Sequence, residues 1–142
     1  MSKTPVYLHA EAEIEIPFHD CDPMQVVWHG NYARYFEVAR GKLLDLIEFN
    51  YDAMEQSGFA WPIVDMRTKY VRPLLFRQTI IVKAELIEYE SRIKIRYVII
   101  DKQSGEKLTS GYTTQVAVCI ETREMQYVSP DVLVNKIRNL EN

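Results

Sequence analysis

Cysteine is nearly absent from this chain of 142 residues: Cys21 and Cys119 are the only two, and they form no disulfide framework. A domain of this length buries a sizeable core without such cross-links. No charged-then-apolar leader opens the sequence, so a reducing cytoplasm is the expected location. Nor does any stretch approach the roughly 20 apolar residues of a membrane span. No run of Lys or Arg stands out, and 17 basic against 20 acidic residues leave a net charge of -3. Phosphate backbones attract proteins through such basic runs, so nucleic acid is not an expected partner. The three histidines lack metal-ligand spacing, and no metal is expected. No G-x-S-x-G elbow surrounds a serine, which counts against a Ser-His-Asp hydrolase. With no repeat, low-complexity segment or linker, residues 1–142 read as one domain.

What is present is ordinary globular composition, 47% apolar and 26% charged. Leu8 to Ile16 alternates strictly, with Leu8, Ala10, Ala12, Ile14 and Ile16 on one face and His9, Glu11, Glu13 and Glu15 on the other. That is the period of a half-buried strand. Past Pro17, the turn-forming Asp20, Asp22 and Pro23 lead through Val26, Val27 and Trp28 to His29, Gly30 and Asn31. Asn31 is a candidate N-cap. The helix it starts runs for about eighteen residues, with Tyr32, Tyr35, Phe36, Ala39, Leu43, Leu46 and Ile47 on one apolar stripe. A short helical turn is expected over Tyr51 to Gln56, closed by Gly58.

Four strands follow: Ile63–Val71, Thr79–Tyr89, Arg92–Ile100 and Lys107–Ile120. The DKQSG loop between the last two offers Gly105 where a positive φ is needed. Ser129, Pro130 and Asp131 read as N-cap, first-turn proline and first-turn acid of a final short helix. A strand, one long helix and an antiparallel meander make an α+β fold whose sheet wraps the helix. Ile81, Ile87, Val98 and Ile100 fall on the sheet face away from the helix, where a second copy of the chain is expected to cover them.

Candidate chemistry concentrates in Phe18 to Arg40, FHDCDPMQVVWHGNYARYFEVAR. It sets a loop with two carboxylates against a helix N-terminus, where unpaired N–H groups and the helix dipole favour developing negative charge. Asp22 before Pro23 can simply make a turn. Asp20 reads as structural, either capping the loop or raising the pKa of Asp22 through like charge. Cys21, between two acids, should have a raised thiol pKa and serve in packing. Glu37 and Arg40, one helical turn apart, are on residue type alone a surface ion pair.

With these residues and this element order, the sequence resembles the hotdog-fold acyl-CoA thioesterases of the 4-hydroxybenzoyl-CoA thioesterase family. The likeness runs from Val6 to Ile120, and its specificity lies in Asp20, Asp22, Val26, Val27, Trp28, His29, Asn31, Tyr32, Tyr35, Glu37, Ala39 and Arg40. It implies a hotdog fold, a five-stranded antiparallel sheet wrapped around one long central helix, assembled as a homodimer or tetramer. It implies hydrolysis of a thioester of coenzyme A or acyl-carrier protein, with no cofactor. Asp22 would act as nucleophile or general base, the backbone N–H at or near His29 would hold the carbonyl oxygen, and the His29 side chain would assist. Such an activated acyl group mainly needs a base or nucleophile and a fixed oxyanion donor.

Asn31, Tyr32, Trp28 and Glu37 are the substrate-binding candidates, and the resemblance implies a place near the dimer interface or active site for Glu37 and Arg40; Trp28, Phe59 and Trp61 either line an acyl channel or, as aromatic residues near turns usually do, simply pack. Many relatives have Gly where this chain has Gln25, which implies a different loop path that crowds the pocket. Relatives hold the nucleotide with basic residues in the later strands; Glu90 and Ser91 depart from this, leaving Arg92. Two rival readings share the fold. A hydroxyacyl-thioester dehydratase would pair His29 with Glu37, against which stand the Asp-x-Asp approach and the lack of a Pro/Gly-rich loop. A non-catalytic module would bind acyl ligands or acyl-carrier protein.

Overall fold

A computed structural model describes residues 4–140. Strand β1 (Leu8–Glu15) turns Ala12 inward and its glutamates outward. Helix α1 (Tyr32–Asp45) and the short α2 (Tyr51–Gln56) follow. Then come β2 (Phe59–Ala60), β3 (Ile63–Tyr70), β4 (Thr79–Glu88), β5 (Ile93–Asp101), β6 (Lys107–Gln115), β7 (Val118–Cys119) and α3 (Asp131–Leu140). Five strands form one antiparallel sheet in the order β1-β4-β5-β6-β3, and β2 pairs with β7 in a separate ribbon.

Helix α1 packs across β1 and β4. Its stripe of Tyr32, Tyr35, Phe36, Ala39 and Leu43 is buried against Ile80, Val82, Ala84, Ile95, Tyr97 and Ile99. The Phe36 ring stacks on Tyr97, with centroids 4.4 Å apart and planes 11° apart. Gly111 permits this depth: a Cβ there would lie 2.3 Å from the Arg67 carbonyl oxygen and 3.2 Å from the Phe36 ring. The wrapped α+β architecture read from the sequence is therefore present. Gly58 and Gly105 both take the positive φ their loops require, 84° and 75°.

Four local expectations change. Helix α1 stops at Asp45, because Glu48 takes a left-handed φ of 54° and the Phe49 N–H returns to the Leu44 carbonyl at 2.9 Å. That six-to-one bond ends a helix whether or not glycine supplies the left-handed residue. Asn31 does not cap: a 3-10 turn over His29–Asn31 already carries helical backbone into α1, and the Asn31 side chain makes no capping bond. The last long strand breaks after Gln115, and its continuation, β7, pairs with β2 instead. Ser129 donates its hydroxyl to the Tyr89 carbonyl, clasping α3 to the end of β4, while the Pro130 carbonyl accepts the Leu133 and Val134 N–H groups.

Strand β3 bonds only to β6, and nearly all of it is exposed on both faces. Val64, Met66 and Tyr70 are 56%, 46% and 52% exposed there. Ile81, Ile87, Val98 and Ile100 are half-buried on the outer face. No helix among the described residues is long and apolar enough to cross a membrane.

Candidate active site

The loop between β1 and α1 is a tight hairpin. The Asp22 N–H donates to the Val26 carbonyl and the Gln25 N–H to the Asp22 carbonyl, both at 2.9 Å, with a bridge between Cys21 and Val27. Pro23 follows Asp22 where a fixed φ suits a turn. The hairpin docks on the segment before β4: the Val27 N–H donates to the Leu74 carbonyl at 2.8 Å, and the Phe76 N–H to the Gln25 carbonyl at 3.3 Å.

Gln25 has a φ of 66°, the conformation glycine adopts freely. The chain thus keeps a tight turn with a side chain in place. The left-handed strain costs roughly 1–2 kcal/mol, while glycine would add unfolded-state freedom worth about 0.5–1 kcal/mol. Gln25→Gly should accordingly leave stability within about 1 kcal/mol of wild type, and a β-branched Gln25→Val should lower it further. Thermal melts of the two variants measure this.

Asp20 anchors the hairpin to α1. It is 2% exposed, and its carboxylate accepts from the Tyr35 hydroxyl at 2.6 Å and from the Arg34 guanidinium. Its carbonyl accepts the Asn31 side-chain amide at 2.9 Å and the Trp28 N–H at 3.0 Å. Burial pushes the Asp20 pKa up, but the Tyr35 and Arg34 donors and the Arg34 charge outweigh it and hold the carboxyl below its ordinary range. Burial, then the bond to Asp20, raises the Tyr35 hydroxyl. Of the two structural roles open to Asp20, loop capping is the one these bonds perform. Arg34 and Tyr35 complete the anchor; Tyr35 belonged to the resemblance pattern without a stated role, and Arg34 carried no sequence signal beyond its helical spacing.

Asp22 is half-buried at the turn, and its Oδ1 accepts the Met24 N–H at 2.9 Å. No other hydrogen bond reaches this carboxylate among the described residues. His29 is exposed at the start of the 3-10 turn into α1, and its own N–H donates to no group among the described residues. Its ring lies 5.1 Å from that of Trp28, which is 53% exposed. The Trp28 indole covers Gly30, where a Cβ would meet it at 2.2 Å. No hydrogen bond joins Asp22 to His29. The half-buried Cys21 has its thiol pushed up by burial and then by Asp20 and Asp22, as its neighbours implied.

The remaining site candidates lie elsewhere. Tyr32 is buried, edge-on to Tyr70 at 4.8 Å, and turns no face to solvent. Glu37 is exposed further along α1 and accepts from Arg40 Nη2 at 3.3 Å. Arg40 is only 4% exposed, so this is no surface pair. Arg92 sits at the β4–β5 hairpin, paired with Glu88 at 3.1 Å. The loop adjoins the opposite end of β4, where the Ile16 N–H meets the Gln78 carbonyl. At 3.3 Å per residue, roughly 30 Å of strand separates Arg92 from the loop of its own chain. Phe59 and Trp61 do not join Trp28; they line a cleft with Tyr51, Met54 and Ile120. No group of three or more His, Cys, Asp or Glu among the described residues could hold a metal ion.

The model of the thioesterase-like superfamily matches residues 16–135. YneP of Bacillus subtilis (strain 168), provisionally named an acyl-CoA thioesterase, is 28% identical over 109 residues, 77% of this chain and 79% of that protein. The structure of DHNA-CoA thioesterase from Staphylococcus aureus matches with a TM-score of 0.79 and 29% identity, over 94% of this chain and 93% of that one. A 1,4-dihydroxy-2-naphthoyl-CoA thioesterase from Synechocystis shares the fold, with a TM-score of 0.83 and 18% identity over 94% of this chain and 98% of that one. The chain belongs to the thioesterase-like superfamily, and it is a hotdog-fold thioesterase.

Proposed function

We propose that the protein hydrolyses acyl-CoA thioesters at the β1–α1 loop, with Asp22 as nucleophile or general base and the His29 N–H as oxyanion donor. The observation that carries this is a hairpin locked to α1 through buried Asp20, presenting a lightly bonded carboxylate and an unpaired N–H at a helix start. In either route the carbonyl carbon becomes tetrahedral as Asp22 attacks it or as Asp22 takes the proton of an attacking water. The oxygen gathers charge against the His29 N–H, where a fixed donor in a helix field lowers the barrier. The carbon–sulfur bond then breaks, the thiolate takes a proton, and one water is consumed per acid released. The His29 ring and Trp28 border the loop where the acyl group enters, and no cofactor takes part.

The working unit is proposed to be at least a homodimer, with the exposed edge of β3 paired to a second copy. Charged glutamates blunt the opposite edge, β1, whereas β3 shows Val64, Met66 and Tyr70. Arg92 could then serve only a partner's site. Acyl-carrier protein presents the same thioester and is the alternative acyl donor. The two free thiols, Cys21 and Cys119, suit the reducing cytoplasm. Thiol release over a panel of acyl-CoAs and acyl-carrier proteins tests the reading: turnover of at least one acyl-CoA is expected, and no release from any member would overturn it. Single turnover in heavy-oxygen water separates the two routes, because only a nucleophilic Asp22 takes up the label.

A further inference from the structure

The outer face of the main sheet, away from α1, is divided by charge. Register across it sets Arg67, Tyr112 and Arg96 in one row over β3, β6 and β5, with Lys69 beside Ser110 in the next. Together with Lys94 they line a shallow hollow of about 390 Å³. The Arg67 and Lys69 side chains are exposed and enter no hydrogen bond or ion pair among the described residues. Lys94 lies over the Tyr112 ring at 4.5 Å, and only Arg96 has an acid partner, Glu85 at 2.9 Å. Four cations thus gather on one half of this face, in a chain whose net charge is -3. The same rows run on through Glu85 and Lys83 of β4 to His9 and Glu11 of β1, where Glu13 and Glu15 continue an acidic edge.

Such a division draws an acidic surface to the basic half and repels it from the other, which sets its orientation as well as its rate of approach. The basic field is broad. Arg67 and Lys69 stand roughly 6.6 Å apart along β3, and two strand spacings of about 4.8 Å separate β3 from β5. Half-buried Ile87 borders the hollow, and half-buried Val98 lies beside Ser110. Spread cations around apolar side chains match the polar rim and apolar centre of a protein interface. The field also reaches the end of β3 nearest the candidate site. Tyr70, next after Lys69, sets its ring edge-on to Tyr32 at the start of α1, and Leu74 and Phe76 beyond it hold the β1–α1 hairpin. In the proposed homodimer the two basic fields adjoin across the β3 seam.

We infer that this half of the outer face, on β5, β6 and β3, docks an acidic carrier protein whose acyl thioester the β1–α1 loop cleaves. The inference rests on the thioesterase reading and names its acyl donor. The carrier stays on the cations while its flexible arm passes around the end of β3 and brings the thioester to Asp22. Hydrolysis is otherwise unchanged: one water is consumed, the free acid leaves, and the carrier keeps its thiol.

The acyl group that the thiol-release panel turns over fastest is presented both on coenzyme A and on purified acyl-carrier protein, and kcat/KM is measured for each. Wild type should cleave the carrier-borne ester, and Arg67→Glu with Lys69→Glu should lower its kcat/KM by about tenfold or more, chiefly through KM. Lys94→Glu, away from the β3 edge, should act in the same direction, which separates docking from any change in strand pairing. Glu11→Lys, on the acidic half, should not lower it. Acyl-CoA turnover should stay within about twofold of wild type in every variant, since the cations serve only the carrier. An equal loss for both esters overturns the inference and gives the cations to the phosphates of coenzyme A. Carrier-borne turnover that survives the reversals overturns it too, as does cleavage of acyl-CoA alone; each of these leaves the thioesterase reading standing. No release from either series across the panel overturns both.

Discussion

Asp22→Asn lowers kcat for acyl-CoA hydrolysis by about a thousandfold, within the 10²–10⁴-fold range of a lost general base. Asparagine keeps an oxygen at Oδ1 for the Met24 N–H, so the turn bond at 2.9 Å survives and the melting temperature stays at the wild-type value. What disappears is the charge that attacks the carbonyl or takes a proton from water. Because Asp22 makes no other hydrogen bond among the described residues, the substitution leaves no buried donor unpaired. A loss of kcat with KM nearly constant is the signature of an interaction made in the transition state. Thiol release measured beside circular-dichroism melts decides it: wild-type turnover in the variant sinks the assignment.

Asp20→Ala acts in the opposite way, through stability first. It strips the buried Tyr35 hydroxyl of its acceptor and frees the half-exposed Arg34. Orphaning a buried hydroxyl and opening a void should cost about 2–4 kcal/mol. Since the Asp20 carboxylate is what fastens the hairpin to α1, turnover should fall as well, by tenfold or more if the loop loosens by even about 1 Å. Acid gives a second readout. The folded pKa of Asp20 is lowered, so its contribution is fully present above the unfolded carboxylate value near 3.9 and is lost as pH falls through the folded pKa. Denaturant melts from neutral pH downward should show the gap between wild type and Asp20→Ala closing below about pH 4. A gap that persists at that acidity would place the cost in packing, not in the ion pair.

Much of the fold was legible because simple periods survive into the structure. The two-residue alternation of Ile93, Ile95, Tyr97 and Ile99 and the helical stripe from Tyr32 to Leu43 both became core. Strand order was less legible, since β3 joining β6 at one edge and β1 joining β4 at the other depends on long-range pairing. At the site, position before a helix marked the loop with its two acids, and only the resemblance singled out Asp22 and His29 within it. The Asp20 anchor did not show, because Arg34 and Tyr35 approach it only when the hairpin folds back on α1. Arg40 misled for a related reason: three-residue spacing to Glu37 describes any helix surface, whereas its burial comes from tertiary packing, with Tyr51 of α2 bonded to it and Tyr97 of β5 beside it. The end of α1 was hidden because Glu48, with no glycine to announce it, takes the left-handed position.

The bare side of β3 has a consequence of another kind. Its unpaired N–H and C=O groups line up beside Val64 and Met66, and a strand meeting its own copy about a two-fold axis closes that edge with no further subunit required. With β3 paired in this way, the share of chains whose edge is covered follows mass action. In the proposed homodimer, dilution and copy number, and not sequence alone, would then govern how much of the protein stands ready to work.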